Sequence, residues 1–193
     1  FLRGVDNLKK EGVSVNENLI KEMFVQSRNI CDQIYDSVIS HFGEFEVISV
    51  EEELMEPITE FDSDGRKFKG FIDMVLKTQD GKYHIIDWKT CSWGWNSQKK
   101  TDPIVNYQLT FYKNYFAKKH SIPKEDIETY FVLLKRTAKK DNVEIYRATS
   151  GPKKTNNALN VLENTVINIK NKVYIKNRLN CKYCKFYRTE SCK

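Results

Sequence analysis

The segment from Gly70 to Thr90, GFIDMVLKTQDGKYHIIDWKT, constrains this chain more than any other. Two runs rich in β-branched and aromatic residues flank Asp80-Gly81, and Asp-Gly between such runs signals a β-hairpin. Loop length decides which residues face each other. A two-residue loop, Asp80-Gly81, sets Asp73 opposite Trp88, and period-two alternation then sends Asp73 and Asp87 to opposite faces. A three-residue loop, Gln79-Asp80-Gly81, with Gly81 left-handed as a bulge, pairs Thr78 with Lys82 and therefore Asp73 with Asp87. We expect the three-residue loop. Directly opposed residues have Cβ atoms roughly 4.5–5.5 Å apart. Two bare carboxylates at that spacing repel, so a divalent cation between them accounts for the arrangement, with Lys89 on the same face as Asp87. A solvated sheet face with a salt bridge is the plainer alternative. Against it, Ile85-Ile86 runs straight into Asp87, in a setting where solvated charge is least expected.

A chain of 193 residues supports one domain with a substantial core. We expect residues 1–193 to form that single domain, with 179–193 as a cysteine-bearing tail. The first residue is Phe1 rather than Met, so further residues are expected upstream. No apolar run is long enough to span a membrane, and no secretory leader is recognisable. The net charge of +6 suits a polyanionic partner without specifying one. Five cysteines point to an intracellular reducing compartment, where they serve as thiols or metal ligands.

Ser14-Val15-Asn16-Glu17 has the form of a capping box, which predicts a helix from Val15 to about His41 with Gly43 as its stop. Ile20, Phe24, Cys31, Ile34 and Val38 mark its inner face. FEVISVEEELMEPI reads as a strand ended by Pro57, and FDSDGR as a turn into the hairpin. After the hairpin comes a loop, CSWGWNSQKKTDP. Pro103 then opens a helix to about His120, with Tyr107, Phe111 and Tyr115 as a stripe. IETYFVLLKR is apolar on both faces and belongs at the sheet centre. NVEIYRATS is a further strand. A helix over about 155–172 should turn Leu159, Leu162, Val166 and Ile169 inward. The expected class is α/β. An N-terminal helix precedes an antiparallel three-strand meander, then a crossover helix, two more strands and a C-terminal helix, giving a mixed sheet flanked by helices.

Gly70-Phe71-Ile72-Asp73, then Asp87-Trp88-Lys89, then Gln108-Leu109-Thr110-Phe111-Tyr112 resemble the ordered motifs of the PD-(D/E)xK nuclease superfamily. The Gln-x-x-x-Tyr motif makes the likeness one to the RecB-like branch. That branch includes RecB and AddB nuclease domains, the nucleases of CRISPR spacer acquisition, and phage and mitochondrial exonucleases. The resemblance spans residues 46–136. It implies a restriction-endonuclease-like fold and a Mg²⁺- or Mn²⁺-dependent DNase, an exonuclease on single-stranded DNA or DNA ends before an endonuclease. It further implies work in DNA repair or recombination with a helicase or recombination partner, in a cytoplasmic, phage or organellar setting. Asp73, Asp87 and the Trp88 carbonyl would ligate the metal. Lys89 would orient or deprotonate a water and steady developing charge. Gln108 and Tyr112 would contact phosphate and brace the site. An inactive DNA-binding or scaffold domain of the same fold, or a structure-directed endonuclease, are the rival readings.

The chain departs from that pattern in several places. Relatives carry a histidine on the first helix, whereas here His41 lies at its far end, and Glu22 or Gln26 compete for the role. For a first-strand glutamate, Glu51, Glu52 and Glu53 compete. Alternation groups Glu52 with Ile48, Val50 and Leu54, so Glu51 and Glu53 are preferred as the polar pair. Cys181, Cys184 and Cys192 resemble the 4Fe-4S staple of AddB-type relatives. Its fourth cysteine lies before the first helix there and is missing here. Cys31 is expected in the core and Cys91 too near the active site, and three thiolates do not complete a tetrahedral site. Zinc or no metal are the alternatives. Finally, Trp93 and Trp95 either stack on unpaired bases or pack over the sheet end, and Lys99 and Lys100 are placed to meet a nucleic-acid backbone.

Overall fold

In the computed structural model, which describes residues 2–62, 64–173 and 178–192, the hairpin has the three-residue loop. The Gly81 N–H donates to the Thr78 carbonyl at 2.9 Å and the Thr78 N–H to the Lys82 carbonyl at 3.0 Å. Gly81 takes φ 84°, a conformation that costs an L-residue with a Cβ. The pairing that follows is Met74↔Ile86, Val75↔Ile85, Leu76↔His84 and Lys77↔Tyr83.

Strands β1 (Phe45–Pro57), β2 (Lys67–Thr78), β3 (Tyr83–Cys91), β4 (Ile127–Lys135) and β5 (Val143–Arg147) lie in that order in one sheet. β3 and β4 are parallel and the other neighbours antiparallel. A parallel pair needs a crossover, and the helix α4 (Pro103–His120) supplies it. Pro103 sits in its first turn, and the Asp102 carboxylate accepts the Ile104 N–H. Helices α1 (Leu2–Lys10) and α3 (Ser97–Thr101) add to the sequence reading. Helix α2 (Glu17–Phe42) starts later than the Ser14 box predicts: Asn16 is the cap, its side chain accepting the Leu19 N–H. α5 (Pro152–Lys170) starts earlier than expected, at Pro152; Val166 is buried as expected and Ala158 with it, whereas Ile169 is exposed.

The sheet has two covered faces. On one, Leu109, Tyr112, Tyr115 and Phe116 of α4 pack with Ile85, Phe131 and Leu133. On the other, Val38 of α2 packs with Leu76, Ile86, Tyr130 and Val132. β4 is therefore buried on both faces, as its unbroken apolar run predicts. The β1–β2 pair is less regular. Its register shifts between Val47 and Ser49, and Glu51 adopts φ 50°. Ile72 and Val75, three residues apart, both reach the α4-side core, whereas Met74 packs on the α2 side. Strict alternation is thus broken beside Asp73. This corrects the face assignment on β1: Leu54 is fully buried while Ile48 and Val50 are exposed.

Gly81→Ala should keep the fold but lower its unfolding free energy by about 1–2 kcal/mol, the cost of a left-handed L-residue. Urea unfolding followed by circular dichroism measures it.

Candidate active site

The β2–β3 ladder stops at Met74↔Ile86. One step on in the same register Asp73 falls opposite Asp87, but there the strands part. The Asp73 carboxylate turns into the gap, where its Oδ2 accepts the Trp88 N–H at 2.7 Å. In an extended strand the N–H and C=O of one residue point to the same edge. The Trp88 carbonyl therefore faces this gap as well.

Asp87 heads a row across the sheet, directly opposite Phe131, which is directly opposite Tyr146. Only 1% of Asp87 is exposed. Gln108 Nε2 donates to its Oδ1 at 2.7 Å and to the Tyr112 hydroxyl at 3.1 Å. The spacing of Gln108 and Tyr112, one helical turn, puts both on the α4 face that meets the sheet. Oδ2 has the Lys89 ammonium 2.6 Å away. That is a charge contact and not an aligned hydrogen bond, so Oδ2 is a buried oxygen with no hydrogen-bond donor. Burial pushes the Asp87 carboxyl up to about 6, with the Asp73 charge adding to it and Lys89 opposing it.

Gly70 has a reason to be glycine. A Cβ there would come within 2.8 Å of Tyr112 Cε1. The Tyr112 ring thus lies on the bare backbone of β2, and its hydroxyl holds Gln108, which holds Asp87. Sequence reasoning took Gly70 as part of a motif without this contact. It also missed Tyr146, whose hydroxyl is buried without a partner and whose phenol is pushed up by burial and by the charges of Glu144 and Asp87. No local signal marks Tyr146, because only the β4–β5 register brings it into the Asp87 row.

The donors suit a hard divalent cation. Two carboxylates converge, one with a buried oxygen that has an ion pair to Lys89 but no aligned hydrogen bond, and a backbone carbonyl faces the same gap. Among the described residues, no cluster of three or more His, Cys, Asp or Glu side chains is gathered. A six-coordinate ion here would keep water or substrate oxygens on its other positions, as Mg²⁺ commonly does.

Several expected contributors are placed elsewhere. Glu53 is exposed and pairs with Lys69 at 3.5 Å. Glu51 is exposed on the irregular turn of β1. Glu52 is engaged by Lys119 at 2.8 Å and His120 at 2.6 Å. Glu22 and Gln26 bond to each other on α2, which covers the opposite face of the sheet. His41 lies against Phe42 and Tyr130. Trp93 is 71% exposed, but Trp95 packs on Phe131 and Tyr146, with Lys99 over its ring at 4.4 Å. Lys100 is neutralised by Glu144 at 2.5 Å. Among the described residues, Cys181, Cys184 and Cys192 form no group of three or more candidate ligands, and Cys31 is exposed where a core position was expected.

The raised Asp87 pKa has a definite sign. Unfolded, this carboxyl ionises near 4; folded, it holds its proton to about 6. The cation-free protein should therefore lose stability as pH rises from about 4 to 6, by about 3 kcal/mol at most. Asp87→Asn should be more stable than the parent above pH 6 and lose this slope, and a divalent cation should stabilise only the parent. Thermal melting between pH 4 and 8, with and without Mg²⁺, tests both.

The sequence profile of the PD-(D/E)XK nuclease superfamily matches residues 19–189. No curated protein matches the chain in sequence. Among solved structures, "Putative exonuclease" from Eubacterium rectale is similar with a TM-score of 0.56 at 16% identity, covering 95% of this chain and 67% of that one. SSO0001 is similar with a TM-score of 0.47 at 19% identity, covering 95% of this chain and 78% of that one.

Proposed function

Because this chain belongs to the PD-(D/E)XK nuclease superfamily, we propose that it is a Mg²⁺- or Mn²⁺-dependent deoxyribonuclease of the RecB-like type. We assign it to exonucleolytic cleavage of single-stranded DNA or DNA ends. The observation that carries the reading is the buried Asp87 carboxylate, with one oxygen tied to Gln108 and the other contacted by the Lys89 ammonium without an aligned hydrogen bond, beside Asp73. A catalytically inert scaffold would be more stable with a neutral residue there. Keeping a buried acid whose ionised form is disfavoured makes sense where a cation restores its charge.

A divalent cation held by Asp73, Asp87 and the Trp88 carbonyl would neutralise phosphate charge and make a water acidic enough to attack. The chain's own groups do the rest. Gln108 fixes the rotamer of Asp87 through Oδ1, which leaves Oδ2 facing the cation side. Tyr112, itself seated on Gly70, fixes Gln108. Lys89 is paired to Asp87 in the resting site and 31% exposed on its side chain. With a cation held by the two carboxylates, the Lys89 ammonium would be free to hold the water in line or to meet charge on the phosphate. Trp93, the exposed tryptophan beyond β3, offers a face for an unpaired base next to the reacting phosphate.

Lys89→Ala should lower hydrolysis of end-labelled linear single strands by about 10²–10³-fold, on the scale of losing one transition-state donor. Circular single strands should survive; their cleavage would replace the exonuclease reading by an endonuclease one. An unchanged rate in Lys89→Ala would remove the mechanism. Tyr112→Phe and Gly70→Ala should each slow turnover by about tenfold. Together they should do little more than either alone, since both act through Gln108. Single-turnover assays on the two variants and their double decide this.

A further inference from the structure

Two adjoining clefts, of about 420 and 320 Å³, meet at Gly151-Pro152, where α5 begins. The first extends to Tyr107, the residue before Gln108, and carries Lys153 and Lys154. The second carries Lys113 and Lys124. The one acid lining either cleft is Glu125.

Two of these lysines differ from most others that are partly buried. Lys82, Lys89, Lys100 and Lys135 each meet a carboxylate, and Lys77 lies over the Tyr83 ring. Lys113 and Lys154 are partly buried, yet among the described residues neither has an ion pair or hydrogen bond. Lys124 donates to the Asn114 side-chain oxygen at 2.5 Å. Burial pushes the Lys113 and Lys154 ammonium groups down; for Lys113 the charges of Arg147 and Lys124 add to it, and those of Glu128 and Glu125 oppose it. Lys153 and Lys154 also stand at the second and third positions of α5, behind a Gly151 cap with no capping side chain and with no acid in the first turn. Positive charge at a helix N-terminus opposes the macrodipole. Lys153 and Lys154 therefore stand where folding alone would place acids, and Lys113 and Lys124 line the adjoining cleft, which is the mark of a site kept for something other than stability. Tyr107 and the α3–α4 junction at Thr101 connect this groove to the catalytic helix.

We propose that a single nucleic-acid strand runs along this groove, its backbone phosphates neutralising Lys113, Lys124, Lys153 and Lys154 while a phosphate beyond Tyr107 occupies the Asp73–Asp87–Lys89 site. The proposal rests on the nuclease reading and adds the course of the strand outside the reacting phosphate. It predicts length-dependent binding: a short strand reaches only the catalytic site, and a longer one gains the lysines.

The test is fluorescence anisotropy in EDTA with oligothymidine of about 6 and about 20 nucleotides, on the scale of known single-strand site sizes. Lys113→Gln/Lys153→Gln/Lys154→Gln should bind the long strand about tenfold more weakly and the short one as the parent does. The slope of log affinity against log salt should fall by about 2, near 0.7 for each single-strand contact removed. Lys153→Gln alone, at an exposed position, should give about a third of that change. The free triple variant should also melt above the parent, because repulsion at the α5 terminus is relieved. An unchanged slope, an equal loss in Lys139→Gln/Lys140→Gln, or a lower melting temperature would overturn the groove. A parent protein that cleaves DNA while the variants keep its slope refutes the groove alone. A parent that neither binds nor cleaves any strand refutes the nuclease reading itself.

Discussion

A carboxylate set into the middle of a sheet, 1% exposed, is the constraint around which this molecule is arranged. Asp87 stands next in the strand to Ile85 and Ile86, both fully buried. Its burial raises the cost of its charge, and its neighbours each deal with part of that cost. Gln108 satisfies one oxygen, Lys89 lies against the other, and Asp73 adds a second negative charge that makes the pair harder to hold without a cation. The arrangement is poised and not relaxed, as expected where electrostatic function competes with stability.

Support for that carboxylate extends outward in layers. The bare backbone of Gly70 admits the Tyr112 ring, Tyr112 fixes Gln108, and Gln108 fixes Asp87. On the other side, β2 and β3 separate just past Met74. The break in alternation at Asp73, opposite the irregular β1 segment at Glu51, is what lets the Asp73 side chain turn into the gap. A regular ladder would have spent that edge on backbone pairing. β-Bulges that re-aim a side chain beside a site are a recurring use of such irregularity.

The hairpin was legible in the sequence because Asp80-Gly81 and the alternation around it are local signals, and the three-residue loop carried the register as far as Met74↔Ile86; the expected pair Asp73 and Asp87 lies one step on, where the strands part. The α4 start at Pro103 and the central place of β4 were legible for the same reason. The first-strand glutamates were not. Counting by twos along β1 assumes an unbroken strand, and the register shift at Val47–Ser49 and the left-handed Glu51 defeat the count. Trp95 was ambiguous because a tryptophan in a loop has the same letter whether it packs on Phe131 or faces solvent like Trp93. The first-helix candidates failed because periodicity names an inner face without saying which side of the sheet that face will cover.

The sequence by itself determined most of the elements and the hairpin register, and with it the nearness of Asp73, Asp87 and Lys89. Each follows from interactions among residues a few positions apart. Only the tertiary structure decided that Asp87 is buried with one oxygen on Gln108 and the other against Lys89, that Tyr112 is seated on Gly70, and that Tyr146 shares the Asp87 row. The gathering of Lys113 from α4 with Lys153 and Lys154 from α5 is of the same kind. These depend on which strands are neighbours and how helices cross the sheet, and the packing of residues dozens of positions apart sets both.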